Sequence, residues 1–223
     1  MSNINYFLTF IFQIMNKFFR ISTVFAIAGI AMFTGCKSAM TLTTTQSGAG
    51  FYLDGAGTVF VNWGDGTPVD KYTIGNEAIH CGHAYTTAAA RTIFIAGGNV
   101  TSLQCFDTQL TALDVSKNMQ LTWLELRNNQ LSVLDVSKNT TLHGLDCIQN
   151  QLTVLDVSNN TALTWLEIQN NLFDAAALNA MFETLHGNPG TKTIRIADNP
   201  GTSTCNQAIA TGKGWTVDTT TVY

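Results

Sequence analysis

Between Leu110 and Asn171 the apolar and polar positions recur every 21 residues without a gap. Leu110-Thr-Ala-Leu-Asp-Val-Ser-Lys-Asn118 returns as Leu131-Ser-Val-Leu-Asp-Val-Ser-Lys-Asn139 and as Leu152-Thr-Val-Leu-Asp-Val-Ser-Asn-Asn160. A second half-repeat alternates with it: Leu121-Thr-Trp-Leu-Glu-Leu-Arg-Asn-Asn129, Leu142-His-Gly-Leu-Asp-Cys-Ile-Gln-Asn150 and Leu163-Thr-Trp-Leu-Glu-Ile-Gln-Asn-Asn171. Both halves read L-x-x-L-x-L-x-x-N. The L-x-L core fits the period of a strand better than that of a helix, and asparagine at every turn is poor for a helix. Leucines are therefore expected inward, and one coil cannot bury them alone, so neighbours must stack. The asparagines are expected at the turns, bonding backbone groups in their own coil and in the next. They form two columns: Asn118, Asn139, Asn160 and Asn129, Asn150, Asn171.

The pattern outruns these copies. Ile194-Arg-Ile-Ala-Asp-Asn199 repeats it after 28 residues, and Trp215-Thr-Val217 follows Ile194 by 21. Upstream, Leu103-Gln-Cys105 leads in, with Thr108 where asparagine would stand. The longer coil is explained by a helix opened by Asp174 as cap and Phe173 as staple. Its apolar face is Leu178, Met181, Phe182 and Leu185, and Gly187 ends it. A second short helix is expected from Ser203 to Gly212, and the two together should cover the open end of the core. The repeat is the signature of a leucine-rich repeat, so the chain resembles leucine-rich-repeat solenoids. The expected fold is mainly β with short helices: a solenoid of 21-residue repeats, preceded by a small β domain and closed by a helical C-terminal cap.

That small domain begins with the alternating Met40-Thr-Leu-Thr-Thr-Thr45. Thr58-Val-Phe-Val-Asn-Trp63 reads as a strand entering a Gly64-Asp65-Gly66 turn, followed by His83-Ala-Tyr85 and the strand Arg91-Thr-Ile-Phe-Ile95. Trp-Gly-Asp-Gly, then His-x-Tyr, then an alternating strand resembles the core of polycystic-kidney-disease (PKD) type β-sandwich domains. Residues 58–95 are short for a complete two-sheet sandwich. Gly97-Gly98-Asn99 marks the boundary, with the last strand of the small domain running straight into the solenoid.

Residues 1–35 are mostly apolar. Lys17 and Arg20 precede an apolar run from Ile21 to Phe33 that is short for a membrane span. Small residues before Cys36 resemble the lipobox of bacterial lipoproteins, which implies that Cys36 is acylated and begins the mature chain. Residues 1–14 hold no basic residue, so translation from Met15 is as consistent as from Met1. The expected division is 1–35 signal peptide, 36–39 spacer after the lipid anchor, 40–98 PKD-like β domain and 99–223 solenoid with its cap. Formal charge is −4 and falls to −6 without the first 35 residues, which disfavours nucleic acid or anionic membrane surfaces as partners. The resemblance implies an envelope-anchored lipoprotein, on the outer surface or the periplasmic face.

Catalytic parts are sparse. No phosphate loop, nucleophile elbow or metal-protease helix is present. Glu125 and Glu167 align as a carboxylate pair, which makes glycoside hydrolysis a remote third reading. His80-Cys81-x-His83 lacks a second ligand cluster, so no metal or cofactor is expected. Asp65 reads as a turn residue rather than part of a calcium site with Asp54 and Asp70. Cys105 and Cys147 take leucine positions two coils apart, roughly 10 Å at the usual strand spacing, beyond disulfide reach.

The solenoid's faces differ. Outward positions of one half-repeat vary from coil to coil in three rows. The first is Ser102, Trp123, Gly144, Trp165, Thr193; the second is Gln104, Glu125, Asp146, Glu167, Arg195; the third is Phe106, Arg127, Ile148, Gln169, Ala197. The other half repeats Asp114, Asp135 and Asp156 monotonously. The varied face is the candidate binding face, and its ligand residues are Trp123, Glu125, Arg127, Gly144, Asp146, Ile148, Trp165, Glu167, Gln169 and Arg195. Trp123 and Trp165 flanking Gly144 are expected to form a slot for a sugar ring or a peptide side chain. The expected function is a non-catalytic module binding protein or glycan. The alternative is a structural spacer holding a partner lipoprotein.

Overall fold

The structure, a computed structural model, describes residues 39–221. The expectations for the leader, Cys36 and the start of translation lie outside the described residues. The chain order is β1 (Ala39–Thr44), β2 (Gly48–Asn62), β3 (Asp70–Ile74), β4 (Ile79–Ala84), β5 (Arg91–Gln104), β6 (Leu110–Asp114), β7 (Trp123–Glu125), β8 (Gly144–Asp146) and β9 (Trp165–Glu167). Then come α1 (Ala175–Thr184), β10 (Lys192–Arg195), α2 (Ala208–Thr211) and β11 (Trp215–Asp218). The fold is mainly β with short helices, and its strands join one open 11-stranded sheet.

The repeat dictates half of that sheet. Successive copies of W/G-L-E/D pair in parallel with no slip: Leu124 faces Leu145, Leu145 faces Leu166, and Leu166 faces Ile194. β5 continues the stack at Leu103 and β11 ends it at Val217. Leu121, Leu124, Leu126, Leu142, Leu145, Cys147, Leu163, Leu166 and Ile168 are completely buried. Each such side chain contributes roughly 1.5–3 kcal/mol of transfer free energy. In the other half-repeat only the first copy is a strand. β6 finds a backbone partner in β1, antiparallel through Leu42 and Leu113, while the copies at 131 and 152 form no strand.

Upstream, the sequence showed one strand at 58–63, whereas β2 begins ten residues earlier, at Gly48. Gly48, Gly50, Gly55 and Gly57 break the apolar signal, although Ala49, Phe51 and Leu53 alternate inward. β2 pairs with β4 and β3 on one edge and with β5 along the other. The β2–β5 ladder shifts register at Asp54/Gly55 and again between Ala56 and Val59. β5 itself crosses the 98/99 boundary as one strand, bending at Gly97 and Gly98, both with positive φ.

Trp63 is fully buried, its indole N–H donating to Asp70 at 2.7 Å, while the Tyr85 hydroxyl donates to Trp63 O at 2.9 Å. Beside it, Asp65 accepts from the Thr67 amide and hydroxyl and meets His83 Nε2 at 2.7 Å. Burial raises the Asp65 carboxyl, but these hydrogen bonds and the His83 charge outweigh it and hold the group down at about 2.

Downstream, Asp174 caps α1 by accepting from Ala177 N, and Leu178, Met181 and Phe182 are buried. The helix ends at Leu185, in extended backbone, before Gly187 is reached. The second helix starts later than expected, at Ala208 rather than Ser203. Thr202 and Thr204 donate their hydroxyls to the Ile196 and Gly201 carbonyls, which favours turns over helix there.

Candidate functional site

The strand register lays out the varied face. Ser102, Trp123, Gly144, Trp165 and Thr193 form one row, and Gln104, Glu125, Asp146, Glu167 and Arg195 the next. Asp218 extends the second row on β11. At the opposite end β2 pairs with β5, placing Asp54 against Ser102 and Tyr52 against Gln104. β4 then places His80 against Tyr52. The face therefore reaches beyond the repeats into the first part of the chain. Sequence reading missed this, because Tyr52 lies among glycines that hide its strand.

The slot expected between the tryptophans is filled. A Cβ on Gly144 would lie 2.2 Å from the Trp123 ring, so the indole lies across the glycine. Strands about 4.8 Å apart let an indole reach its neighbour, and a residue without a side chain lets it lie down. Its N–H donates to Glu125 Oε1 at 2.7 Å. Trp165 is covered from the other side, with the Arg195 guanidinium 4.7 Å from its ring centroid.

The acidic row does not stand uncompensated. Arg127 lies 2.8 Å from Asp146 Oδ2 and 3.5 Å from Glu125. The Asp146 contact is close but out of line for a hydrogen bond, so it is an ion pair alone. Arg195 meets Glu167 at 2.6 Å and Asp218 at 3.3 Å. Asp146 is buried, and burial pushes its carboxyl up. The Ile148 N–H and Arg127 pull it back, and the charges of Glu167 and Glu125 add to the rise. Gln169 is buried, and neither atom of its amide has a hydrogen-bond partner among the described residues. Ile148 is half-buried between them.

The asparagines behave as two different columns. Asn150 Nδ2 donates to Leu126 O at 2.9 Å and to Cys147 O at 3.1 Å, and its Oδ1 accepts from Leu131 N at 3.0 Å. Asn129 and Asn171 repeat this arrangement. The neighbour reached is the preceding coil, not the following one. In the other column Asn139 and Asn160 donate to two carbonyls of the preceding coil, while the Oδ1 atoms of Asn118, Asn139 and Asn160 accept nothing among the described residues. Before each of Asn129, Asn150 and Asn171 stands a residue with positive φ: Asn128, Gln149 and Asn170.

Among the described residues no three His, Cys, Asp or Glu side chains gather as a metal set. His80 and His83 point to opposite faces of β4. His80 packs on Tyr52, and His83 stacks on Trp63. Burial pushes the Cys105 thiol up to about 12 and the Cys147 thiol higher still.

No family model and no curated protein matches this chain. Among solved structures it is similar to the functional domain of InlJ from Listeria monocytogenes, described as including a cysteine ladder. The likeness has 29% identity and a TM-score of 0.40, and covers 50% of this chain and 23% of that one. The chain thus spans about a quarter of the length of the protein it matches.

Proposed function

We propose that this chain is a non-catalytic binding module, a leucine-rich-repeat solenoid whose open sheet face takes up a protein ligand. In this reading a PKD-like β domain precedes the repeats, α1 and α2 cap the core, and acylated Cys36 tethers the chain to the bacterial envelope. The observation that carries it is the contrast between faces. Trp123, Glu125, Trp165 and Arg195 sit half-exposed in register on one face and differ from coil to coil. The other half-repeat presents the same Asp-x-Ser turn each time, with Ser116, Ser137 and Ser158 N donating to Asp114, Asp135 and Asp156. A fold held by its core has no need of tryptophans and arginines on an open sheet, whereas interfaces favour both.

The spacer reading rests on one specific observation: the acids of this face are already paired with Arg127 and Arg195. A pull-down from envelope extracts with the full chain separates the two. Trp123→Ala with Trp165→Ala is expected to abolish retention of the captured protein while unfolding stays cooperative. Retention that survives the double substitution rules out this face. The tether has its own test. Cys36→Ser is expected to move the protein from the membrane to the soluble fraction or to leave the precursor uncleaved. Unchanged attachment and processing would rule out the lipid anchor.

A further inference from the structure

We propose a second binding site, for a neutral saccharide, in the cleft where β2 and β4 extend the open face. The cleft has a volume of about 910 Å³ and is walled by Tyr52, His80 and Phe106. The Tyr52 and Phe106 rings are nearly parallel, 16° apart with centroids at 6.1 Å, and His80 adjoins Tyr52 at 4.9 Å. His80 lies flat because Gly50 and Gly82 make room: a Cβ on either would come within 2.9 or 2.6 Å of its ring. Tyr52 and Phe106 form the aromatic wall, with Tyr52 36% exposed, and His80, tilted 51° to Tyr52, stands at its margin.

What surrounds the platform selects the ligand. The hydroxyl of Tyr52, the ring nitrogens of His80, the amide of Gln104 and the carboxylate of Asp107 make no hydrogen bond to any described residue. The repeat face is different, since Trp123 is committed to Glu125, Asp146 to Arg127 and Glu167 to Arg195. No lysine or arginine lines the cleft, so a phosphate or carboxylate ligand would find no countercharge. Near-parallel rings this close make a flat wall rather than an enclosing cage, which disfavours a quaternary ammonium. A pyranose offers an apolar C–H face to lie on the aromatic wall and a rim of hydroxyls for the polar groups around it, which include the accepting Asp107 carboxylate. Both requirements are met together here.

This site is independent of the reading of the repeat face, and the variants keep the two apart. The full chain is screened on an array of neutral oligosaccharides and titrated calorimetrically with chitohexaose, cellohexaose and maltohexaose. Saturable binding to at least one is expected. Tyr52→Ala and, separately, Phe106→Ala are expected to weaken it tenfold or more at an unchanged unfolding midpoint, with Tyr52→Phe falling in between. The Trp123→Ala, Trp165→Ala double variant is expected to bind the sugar within twofold of the parent. Should Tyr52→Ala fail to fold, Phe106→Ala decides, since its ring lies beyond the end of β5. The proposal is overturned by no retained oligosaccharide, by binding unchanged in the folded variants, or by choline chloride binding in place of every sugar.

Discussion

Asn150→Leu is expected to lower the unfolding free energy by about 3 kcal/mol, as the substitution strands several buried polar groups at once. The Asn150 amide serves Leu126 O and Cys147 O, and its oxygen serves Leu131 N. The residue is 7% exposed, so water cannot take its place. Leucine matches it in size but answers none of the three groups. The same change at Asn139 is expected to cost about 1 kcal/mol less, because the Asn139 oxygen has no partner to lose. Lys138→Ala, on the exposed surface, should stay within about 0.5 kcal/mol. Chemical denaturation of the three variants checks the order. Equal midpoints would mean that the asparagine columns do not hold the turns.

Gly55→Ala is expected to destabilise by about 3–5 kcal/mol through two causes that act together. Gly55 has φ 144°, a conformation that L residues rarely adopt, and an added Cβ would lie 2.0 Å from Asn99 O. Neither β2 nor β5 can yield easily, since each is paired along most of its length at this crossing. Gly66→Ala separates the causes. Gly66 has φ 85° but nothing within 4 Å of its Cβ position, so only the conformational cost of about 1 kcal/mol remains. Thermal unfolding of both variants reads the difference. Equal losses would show that the close approach at Asn99 contributes nothing.

The repeats were legible because their period forces one register. Leucine at 124, 145 and 166 must align if the strands are to bury anything, so their register follows from spacing, although the same spacing at Leu131 and Leu152 forms no strand. The upstream strands were harder. β2 buries Ala49, Phe51 and Leu53 at alternate positions, yet Gly50 and Tyr52 between them supply no charged or strongly polar partner to make the alternation visible. The second helix was misplaced for a local reason: the Thr204 and Cys205 N–H groups close turns on Gly201 O, and Asn206 rather than Ser203 accepts from the amide of the helix's first residue, Ala208.

At the candidate site, spacing gave which side chains share a row but not how they lie. Whether an indole stands or reclines depends on its neighbour's Cβ and on where Glu125 offers an acceptor. Neither is a property of periodicity. The continuation of the face through Tyr52 and His80 depends on an antiparallel pairing between segments far apart in sequence, which no repeat announces.

The backward reach of the asparagines gives the array a direction in time. Asn129 closes carbonyls at Cys105, Asn150 at Leu126, Asn171 at Cys147 and Asn199 at Ile168. A chain emerging from its N-terminus therefore presents each turn held by its own asparagine alone, and the turn made next adds the second bond. Among the described residues no asparagine of a later turn reaches Ile196 O, and Thr202 turns its hydroxyl to it at 2.7 Å instead. Growth by one coil needs only another copy of the sequence before that threonine. The same rule makes the newest turn the loosest until its successor exists, so the array closes like a zip whose slider travels with synthesis.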